Sequence, residues 1–364
     1  MPSENKTSIR VLIVDDSFFM RKILTEILNE SGGEITVLDT AQNGWEAVEK
    51  TKKLKPDVIT MDVEMPKMDG LAALEKIMEE TPTPVVMLSS HTGKGTETTI
   101  KALELGAVDC VAKPTGRVLE NARAIQGELV EKIKMAALCR LRPRVPAESN
   151  IPSVETKKRE KLPDEEVPDR PASFIVAVAS STGGPRALNE FFSKITRSPS
   201  TAFVIVQHIS VGFTKALARR LGEVSSLKIS EAEENSFLMG GNAYVAPGGM
   251  HLLVEGSAGR YRFVFNDHPP RLGVKPSADF MMTSVAKAAG KQSAGIVLTG
   301  MGRDGTSGLK DIHSAGGRTF AQDADSCVVY GMPKAAVESG MVDRQLTLAQ
   351  MAVEVNALVS SRSR

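Results

Sequence analysis

Short apolar segments alternate with longer amphipathic segments in two separate series along this chain. The first series begins at Ile9 and includes IRVLIVDD, ITVLDTA, PDVITMD, PVVMLSS and VDCVAKP; the second includes FIVAVAS, AFVIVQH, AYVAPGG and SAGIVLTG. Strands that are apolar throughout are typical of a parallel sheet covered by helices on both faces. We therefore predict an α/β fold with two domains: a doubly wound (βα)5 domain at residues 8–127, and an α/β domain with a mostly parallel sheet at residues 173–362.

The segment between the two series has a different composition. Six prolines lie between Arg140 and Pro171, and most residues of 155–170 are charged. A segment of this kind buries too little apolar surface to form a core. We expect residues 128–172 to contain the end of a helix followed by a flexible linker.

Length and charge narrow the class of protein. A chain of 364 residues is long enough for two domains. Its 45 Lys and Arg residues nearly balance its 44 Asp and Glu residues, so the protein has no large overall positive charge that would favour binding to nucleic acid. The second half also contains no basic recognition helix or basic stripe. The three cysteines, Cys110, Cys139 and Cys327, are too widely spaced for a disulfide framework. With no apolar signal segment and no apolar run of spanning length, we expect a cytoplasmic protein without membrane insertion.

Three carboxylates follow strands of the first predicted sheet. Asp15 and Asp16 end the first strand, and Asp62 ends the third. Because the carboxyl ends of parallel strands meet at one edge, these acids can converge on a hard cation with oxygen ligands, most plausibly Mg²⁺. An acid in such a position more often caps a helix, so the inference depends on the group as a whole.

Two further polar groups complete this edge. Ser89 ends the fourth strand and Lys113 ends the fifth, where a hydroxyl and a cation can bind phosphoryl oxygens. A lone lysine is usually a solvated surface group, but five complementary groups at successive strand ends favour a site.

The segments VDDS, DVEMPKMDG, MLSS and AKP resemble the landmarks of the response-regulator receiver family over about the first third of the chain. The resemblance implies that Asp62 accepts the phosphoryl group, that Asp15 and Asp16 hold Mg²⁺ with it, and that Ser89 and Lys113 sense the phosphoryl group. The position three residues before Lys113, often aromatic in receivers, is Cys110. This departure weakens the expectation of an aromatic switch without affecting the chemistry at Asp62.

A candidate nucleophile follows the first strand of the second domain. FIVAVAS leads directly into STGGP, where paired glycines permit a sharp turn and Pro185 suits the first turn of a helix. Ser181 is thereby placed near a helix N-terminus, whose N–H groups favour developing negative charge. The alternatives are that Ser181 or Thr182 only caps the helix, or that the turn binds a phosphate.

A base and its orienting acid follow two other strands. AFVIVQH brings His208 to the same sheet edge, and SAGIVLTG is followed by MGRDG, which brings Asp304 there. A serine nucleophile needs a base, and the base needs an anionic partner, so Ser181, His208 and Asp304 can form a triad. The turn at Met301 can present an N–H group to an oxyanion.

The remaining histidines are expected to be structural. His91 lies in a receiver loop, His313 lies in a helical pattern, and His251 and His268 lie in a hairpin-like region. Satisfied or surface histidines are the usual outcome in such places.

A competing interpretation concerns residues 300–305. Gly300, Gly302 and Gly305 match GxGxxG between a strand and a helix, and Asp323 ends the next strand, which is the layout of a dinucleotide site. Asp304 in that turn would repel a pyrophosphate, and a dinucleotide enzyme would leave Ser181 and His208 without a role.

The segments ASSTGGP, VQH and LTGMGRDG, in this order behind a receiver and a linker, closely resemble the catalytic domain of chemotaxis protein-glutamate methylesterases, the CheB family. The resemblance implies Ser181 as nucleophile, His208 as base, Asp304 as its orienting group and the Met301 backbone in the oxyanion hole. It implies hydrolysis of glutamyl methyl esters and deamidation of selected glutamines, without a cofactor for the esterase reaction.

The resemblance also implies partners and a mode of control. The substrate is expected to be a methyl-accepting chemotaxis receptor, and the phosphoryl donor a chemotaxis histidine kinase. We expect the unphosphorylated receiver to pack over the catalytic site. A receiver that drives a binding-only module, and a nucleotide-dependent enzyme that uses the turn at 300–305, remain as alternatives.

Overall fold

The structure is a computed structural model that describes residues 8–89, 93–113, 118–139 and 170–362. His91 and residues 140–169 of the predicted linker lie outside the described residues. Within the described ranges, no helix combines the length and apolar character needed to cross a membrane.

The first domain alternates strands and helices five times, as its sequence pattern predicts. Its parallel sheet has the order β2-β1-β3-β4-β5, with helices on both faces, so the predicted doubly wound fold is confirmed. The elements are β1 (Ile9–Val14), α1 (Phe18–Asn29), β2 (Ile35–Ala41), α2 (Gly44–Leu54), β3 (Val58–Asp62), α3 (Gly70–Glu80), β4 (Val85–Ser89), α4 (Gly93–Leu105), β5 (Asp109–Ala112) and α5 (Val118–Leu138).

Helix α5 continues beyond residue 127, the predicted end of the first domain. Leu129, Ile133 and Ala136 of this helix are fully buried and pack with β1 and α1 in one apolar cluster. The helix therefore belongs to the core of the first domain as far as its last turns.

The second domain contains a seven-stranded parallel sheet in its described residues, with the order β14-β13-β12-β6-β7-β9-β8. A separate antiparallel hairpin, β10–β11, lies where the sequence is hairpin-like. The strands are β6 (Phe174–Ser180), β7 (Thr201–Gln207), β8 (Lys228–Glu231), β9 (Asn242–Val245), β10 (His251–Glu255), β11 (Arg262–Asn266), β12 (Ser293–Val297), β13 (Arg318–Gln322) and β14 (Arg344–Leu346). The helices are α6 (Gly184–Phe192), α7 (Thr214–Val224), α8 (Ala278–Ala289), α9 (Thr306–Ser314), α10 (Met332–Glu338) and α11 (Leu348–Arg362), with a 3₁₀ turn at Gly290–Gln292.

The order of the strands determines where the site lies. The chain passes from β6 to β7 on one side and later reaches β12 on the other side of β6. This reversal is a topological switch point, beyond which a crevice opens at the carboxyl ends of the strands. Ser181 follows β6, His208 follows β7, and Asp304 lies in the loop after β12.

The two domains pack against each other. Helix α4 of the first domain contacts α6 and α7 of the second, and the buried apolar side chains of the two domains form one continuous cluster. Polar contacts surround this apolar region: Glu104 of α4 accepts hydrogen bonds from Asn189 Nδ2 at 2.7 Å and from Arg220 Nε at 2.9 Å. The first domain thus covers part of the second.

Candidate active site

The turn that carries Ser181 is held by backbone hydrogen bonds on both sides. Ser181 donates its N–H to Thr299 O at 3.0 Å, and its carbonyl accepts from Gly184 N at 2.7 Å. Gly183 adopts a φ of 76°, the left-handed region that glycine occupies at low cost. Gly184 is needed for a different reason, because a Cβ there would overlap Gln207 Oε1.

His208 and Asp304 form the contact that the sequence predicts for a base and its orienting acid. His208 Nε2 lies 2.9 Å from Asp304 Oδ2, and both side chains are largely buried. A carboxylate only accepts hydrogen bonds when ionised, so in the neutral ring Nε2 carries the proton and Nδ1 is the acceptor. Nδ1 is therefore the nitrogen that can take a proton from a nucleophile.

Asp304 is also fixed by the N-terminus of α8. Its carboxylate accepts hydrogen bonds from Ser277 Oγ at 2.7 Å, Ala278 N at 2.6 Å and Asp279 N at 3.0 Å. Burial alone would raise the pKa of Asp304, but the hydrogen bonds from His208 and Ser277 keep it below the ordinary value. Asp304 therefore stays ionised, and the same carboxylate caps α8 and binds the His208 ring.

Sequence reasoning missed the residues that support Asp304. Asp279, in the first turn of α8, accepts hydrogen bonds from Gly305 N at 3.0 Å and Gly308 N at 2.9 Å, so its carboxylate caps α9 just as Asp304 caps α8. The signal available was the run SAD at the predicted start of a helix, which marks a cap. Which helix an acid caps depends on tertiary packing and is absent from that signal.

His251 also binds the residue that precedes α8. It is fully buried, accepts from Ser277 N at Nδ1, 3.0 Å away, and makes a 3.2 Å hydrogen bond to Pro269 O at Nε2. Burial lowers the pKa of His251, so the ring stays neutral. Its partners fit the structural role that we expect for it.

The Met301 turn lies directly beside Ser181. A Cβ on Gly300 would lie 2.7 Å from Ser181 Cβ, and a Cβ on Gly331 would lie 3.1 Å from Met301 Cα. Throughout the described residues, the N–H groups of Met301 and Thr182 donate to no protein acceptor, whereas that of Ser181 is used. Met301 N–H is thus available to an oxyanion, and Thr182 N–H is a second candidate that the sequence did not suggest.

The nucleophile and base are neighbours that are not hydrogen-bonded to each other. Ser180 pairs with Gln207 across β6 and β7, so Ser181 and His208 follow adjacent strand ends. Of the hydrogen bonds formed by the described residues, none joins the Ser181 hydroxyl to His208. Catalytic hydrogen bonds are often long without substrate and shorten in the substrate complex.

The same geometry disfavours a dinucleotide in the turn at 300–305. The Asp304 carboxylate is only 3% exposed and is directed to His208 and the N-terminus of α8. Asp323, the acid expected to bind a ribose, instead accepts a hydrogen bond from Ser326 N at 3.3 Å. The two acids that a dinucleotide site would need, Asp304 and Asp323, therefore both accept hydrogen bonds from other parts of the protein.

The receiver site brings together the groups predicted from the first series. Asp15, Asp16 and Asp62 each offer a carboxylate oxygen within 4.8 Å of the others. Lys113 Nζ lies 2.7 Å from Asp15 Oδ2 and 2.7 Å from Asp62 Oδ2. Ser89 is fully buried at the end of β4, and its Oγ donates to Gly95 O at 3.1 Å.

The carboxylates fit a divalent cation. Burial raises the pKa of Asp62 to about 6, and Lys113 opposes this effect. Three carboxylate oxygens within 4.8 Å of one another are the kind of ligand set that a hard cation such as Mg²⁺ prefers. Residues Asp15, Asp16 and Asp62 would hold the ion.

The first domain reaches the residues next to Ser181, the candidate nucleophile. Asp109 Oδ2 accepts from Thr182 Oγ1 at 2.7 Å, and Val108 O accepts from Gly183 N at 3.3 Å. On the other side, Glu128 Oε1 accepts from Ser210 Oγ at 2.8 Å, two residues beyond His208. Contacts from the first domain therefore flank both strand ends that carry nucleophile and base.

A partly buried lysine joins these two contacts. Lys132 Nζ lies 3.1 Å from Asp109 Oδ1 and 2.9 Å from Glu128 Oε1. Burial alone would lower the pKa of Lys132, but the two carboxylates raise it, so the lysine is charged. Cys110 is fully buried next to Asp109, and its carbonyl also accepts from Lys132 Nζ.

Two family models match this chain, one over each domain. Residues 176–355 match the family model described as CheB methylesterase, and residues 11–122 match the response regulator receiver domain. A protein-glutamate methylesterase/protein-glutamine glutaminase of Pyrococcus abyssi is 44% identical over 94% of this chain and 91% of its own length. A relative of the same name from Syntrophomonas wolfei is 40% identical over 96% of this chain and 99% of its own length.

A solved structure resembles the second domain of this chain. The crystal structure of the Thermotoga maritima CheB methylesterase catalytic domain superposes with a TM-score of 0.50 and 36% identity, covering 51% of this chain and 98% of that chain. The matched segments contain Ser181, His208, Asp304 and Asp62. The chain therefore belongs to the receiver-containing CheB methylesterase family.

Proposed function

We propose that this protein hydrolyses methyl esters of glutamate side chains in methyl-accepting chemotaxis receptors, and deamidates selected glutamines there to glutamate. The observation that carries the proposal is the hydrogen bond between His208 Nε2 and Asp304 Oδ2 at 2.9 Å, at the strand end adjacent to the one that carries Ser181. It leaves His208 Nδ1 available as the base for Ser181, which follows the adjacent strand end.

The ester reaction proceeds in two steps. His208 Nδ1 takes the proton of Ser181, whose oxygen attacks the side-chain carbonyl carbon. Met301 N–H, with Thr182 N–H, stabilises the tetrahedral oxyanion, and the protonated His208 then gives its proton to the departing methanol. Water, deprotonated by the same nitrogen, then attacks the acyl-enzyme; as the bond between the acyl carbon and the Ser181 oxygen breaks, His208 returns the proton to that oxygen and glutamate is released. With a glutamine side chain the leaving group is ammonia, and the remaining steps are identical.

Phosphorylation of Asp62 controls the reaction in this proposal. When bound, Mg²⁺ supplies positive charge that offsets the negative charge of the incoming phosphoryl group. Lys113, which contacts both Asp15 and Asp62, would bind a phosphoryl oxygen, and Ser89 would sense it. The proposed phosphoryl donor is a chemotaxis histidine kinase.

The contacts between the domains support inhibition by the unphosphorylated receiver. Asp109 and Val108 bind the two residues that follow Ser181, and Glu128 binds the loop after His208. A receptor side chain needs access to the same strand ends. Phosphorylation would shift the population toward an arrangement with the receiver displaced.

Methanol release from methylated receptor tests the proposal. Wild-type protein is compared with Ser181→Ala, each with and without a small-molecule phosphoryl donor and Mg²⁺. We expect donor-stimulated release from the wild type and a loss of at least about 1,000-fold in Ser181→Ala, since removal of a triad nucleophile abolishes the covalent route.

Ser193→Ala is the matched control, because Ser193 is an exposed serine at the opposite end of α6. It should release methanol at the wild-type rate. No release from the wild type in either condition would contradict the proposal and favour a receiver that controls a binding module.

A further inference from the structure

The glutamine of the VQH segment has a geometry that the proposed triad does not use. Gln207 is 2% exposed and stands immediately before His208, at the end of β7. Its Nε2 donates to Ser181 O at 2.8 Å and to His208 O at 2.9 Å. One amide group therefore bridges the backbone carbonyls of the candidate nucleophile and base.

The orientation of this amide is determined by its partners. The two carbonyl oxygens can only accept hydrogen bonds, so Nε2 must face them. Oε1 faces Ser180 Oγ, which donates to it at 2.7 Å. Both hydrogens of the amide and one lone pair of Oε1 are therefore used in hydrogen bonds within the protein.

The turn is shaped to admit this side chain. A Cβ on Gly184 would overlap Gln207 Oε1 and would also lie 3.0 Å from Ser180 Cβ. Gly184 N donates to the same Ser181 carbonyl that Gln207 binds, at 2.7 Å. The second glycine of STGGP thus makes room for the bridge, while the first supplies the positive φ of the turn.

The backbone ladder alone does not provide this connection. Pairing between β6 and β7 ends at Ser180 and Gln207, so Ser181 and the His208 carbonyl lie beyond it. Beyond that point His208 N donates to Ser180 O at 3.0 Å and Ser181 N donates to Thr299 O at 3.0 Å, but neither bond joins Ser181 to His208 directly, as the Gln207 amide does. A serine hydroxyl and an imidazole misplaced by about 1 Å lose about 100-fold in rate.

We propose that Gln207 is a positioning residue for the ester hydrolysis, which bridges Ser181 and His208 through their carbonyls and sets the distance between nucleophile and base. This inference rests on the proposed function. It predicts an effect on the rate of the covalent step, with little effect on receptor binding.

Gln207→Met tests it, because methionine has a similar length and lacks hydrogen-bonding donors. We expect kcat for methanol release to fall about 10- to 100-fold, with KM within about threefold of wild type, since Gln207 is buried and its side-chain hydrogen bonds are all to the protein. The rate at which a fluorophosphonate labels Ser181, followed by mass spectrometry, should fall by the same factor, without any receptor in the assay.

Asn356→Leu is the matched control. The side-chain amide of Asn356, in α11, also bridges two backbone groups, Thr196 N and Lys194 O at 2.9 Å each, but these follow the end of α6 opposite to Ser181. Gln207→Glu, which is nearly isosteric, serves as a second variant if Gln207→Met fails to fold. Its carboxylate would face two carbonyl oxygens and should lower kcat at least as much.

The outcomes separate the inference from the proposed function. Equal labelling and kcat losses in Gln207→Met and Asn356→Leu, or a kcat within threefold of wild type in either Gln207 variant, would overturn the positioning role. A wild-type protein that neither releases methanol nor is labelled at Ser181 would instead overturn the proposed function.

Discussion

Asp304 illustrates what a single residue reveals from sequence and what it does not. Its place after a parallel strand, with Ser181 and His208 after two others, predicted that the three would meet at one sheet edge, and the contact between His208 and Asp304 lies there. The helix cap formed by the same carboxylate, and the reciprocal cap formed by Asp279, depend on how α8 and α9 pack. No local pattern encodes that packing.

Gln207 illustrates the same limit. Gln207 lies in the segment VQH, but the sequence pattern predicted a role only for His208 in that segment. The bridge to Ser181 spans 26 residues of sequence and arises from the parallel pairing of β6 with β7. A side chain that binds backbone carbonyls leaves no complementary residue type to find in the sequence.

Asp62 carries a cost to folding that should be measurable. Burial raises its pKa to about 6 from an ordinary value of 3.8. A raised carboxyl pKa means that the native state favours the protonated form, so stability declines as pH rises between these two values. We predict that Asp62→Asn stabilises the protein at pH 7.5 by up to about 3 kcal/mol, since one pKa unit corresponds to about 1.4 kcal/mol.

Urea denaturation of both proteins at several pH values, without Mg²⁺, measures this difference. The advantage of Asp62→Asn should shrink as the pH falls toward 4, because Asp62 then becomes protonated in the native state. Addition of Mg²⁺ should stabilise the wild type more than the variant. An advantage of the same size at every pH would contradict the assignment.

At the scale of elements, the alternation of apolar and amphipathic segments predicted most of the observed strands and helices. The uniformly apolar runs became parallel strands, and the amphipathic segments between them became helices that cover both faces. The partner of each helix face was not predictable. Helix α4 contacts β4 within the receiver and α6 and α7 of the other domain, and the pattern of apolar residues along the helix does not distinguish these partners.

The α4 contact can be tested through Glu104, which binds Asn189 and Arg220 across the interface. Glu104→Lys places a cation against Arg220 and should cost the packed arrangement about 1 to 2 kcal/mol. We predict that methanol release without a phosphoryl donor rises about 5- to 30-fold, the factor that corresponds to this free energy.

Release in the presence of the donor should change little in Glu104→Lys, because the receiver is then already displaced. Glu75→Gln, an exposed glutamate in α3, serves as the control and should behave as wild type. Unaltered basal release in Glu104→Lys would argue that this interface does not limit access to the site.

At the scale of the whole molecule, the division into two α/β domains was predictable because each domain has its own series of strands. Their mutual arrangement was not, since Thr182 and Asp109 lie 73 residues apart and neither is unusual in its own segment. The receiver's polar contacts next to Ser181 support the covering role that we expected from the family resemblance.

Removal of residues 1–139 tests that role directly. We predict that the remaining chain releases methanol faster than the unphosphorylated full-length protein and no longer responds to a phosphoryl donor. Circular dichroism establishes whether the truncated chain is folded. A folded truncation with an unchanged or lower rate would refute inhibition by the receiver.

The composition of the domain interface has a consequence for the resting enzyme. Its centre is apolar, but its edge includes partly exposed ion pairs such as Arg219 with Glu97 and Arg220 with Glu104. Ions screen such pairs strongly at physiological salt concentrations, whereas apolar contacts are strengthened slightly by many salts. Methanol release without a phosphoryl donor should therefore vary with the ionic strength around the protein. A change in salt concentration would then change the methylation of the receptors even when kinase activity is constant.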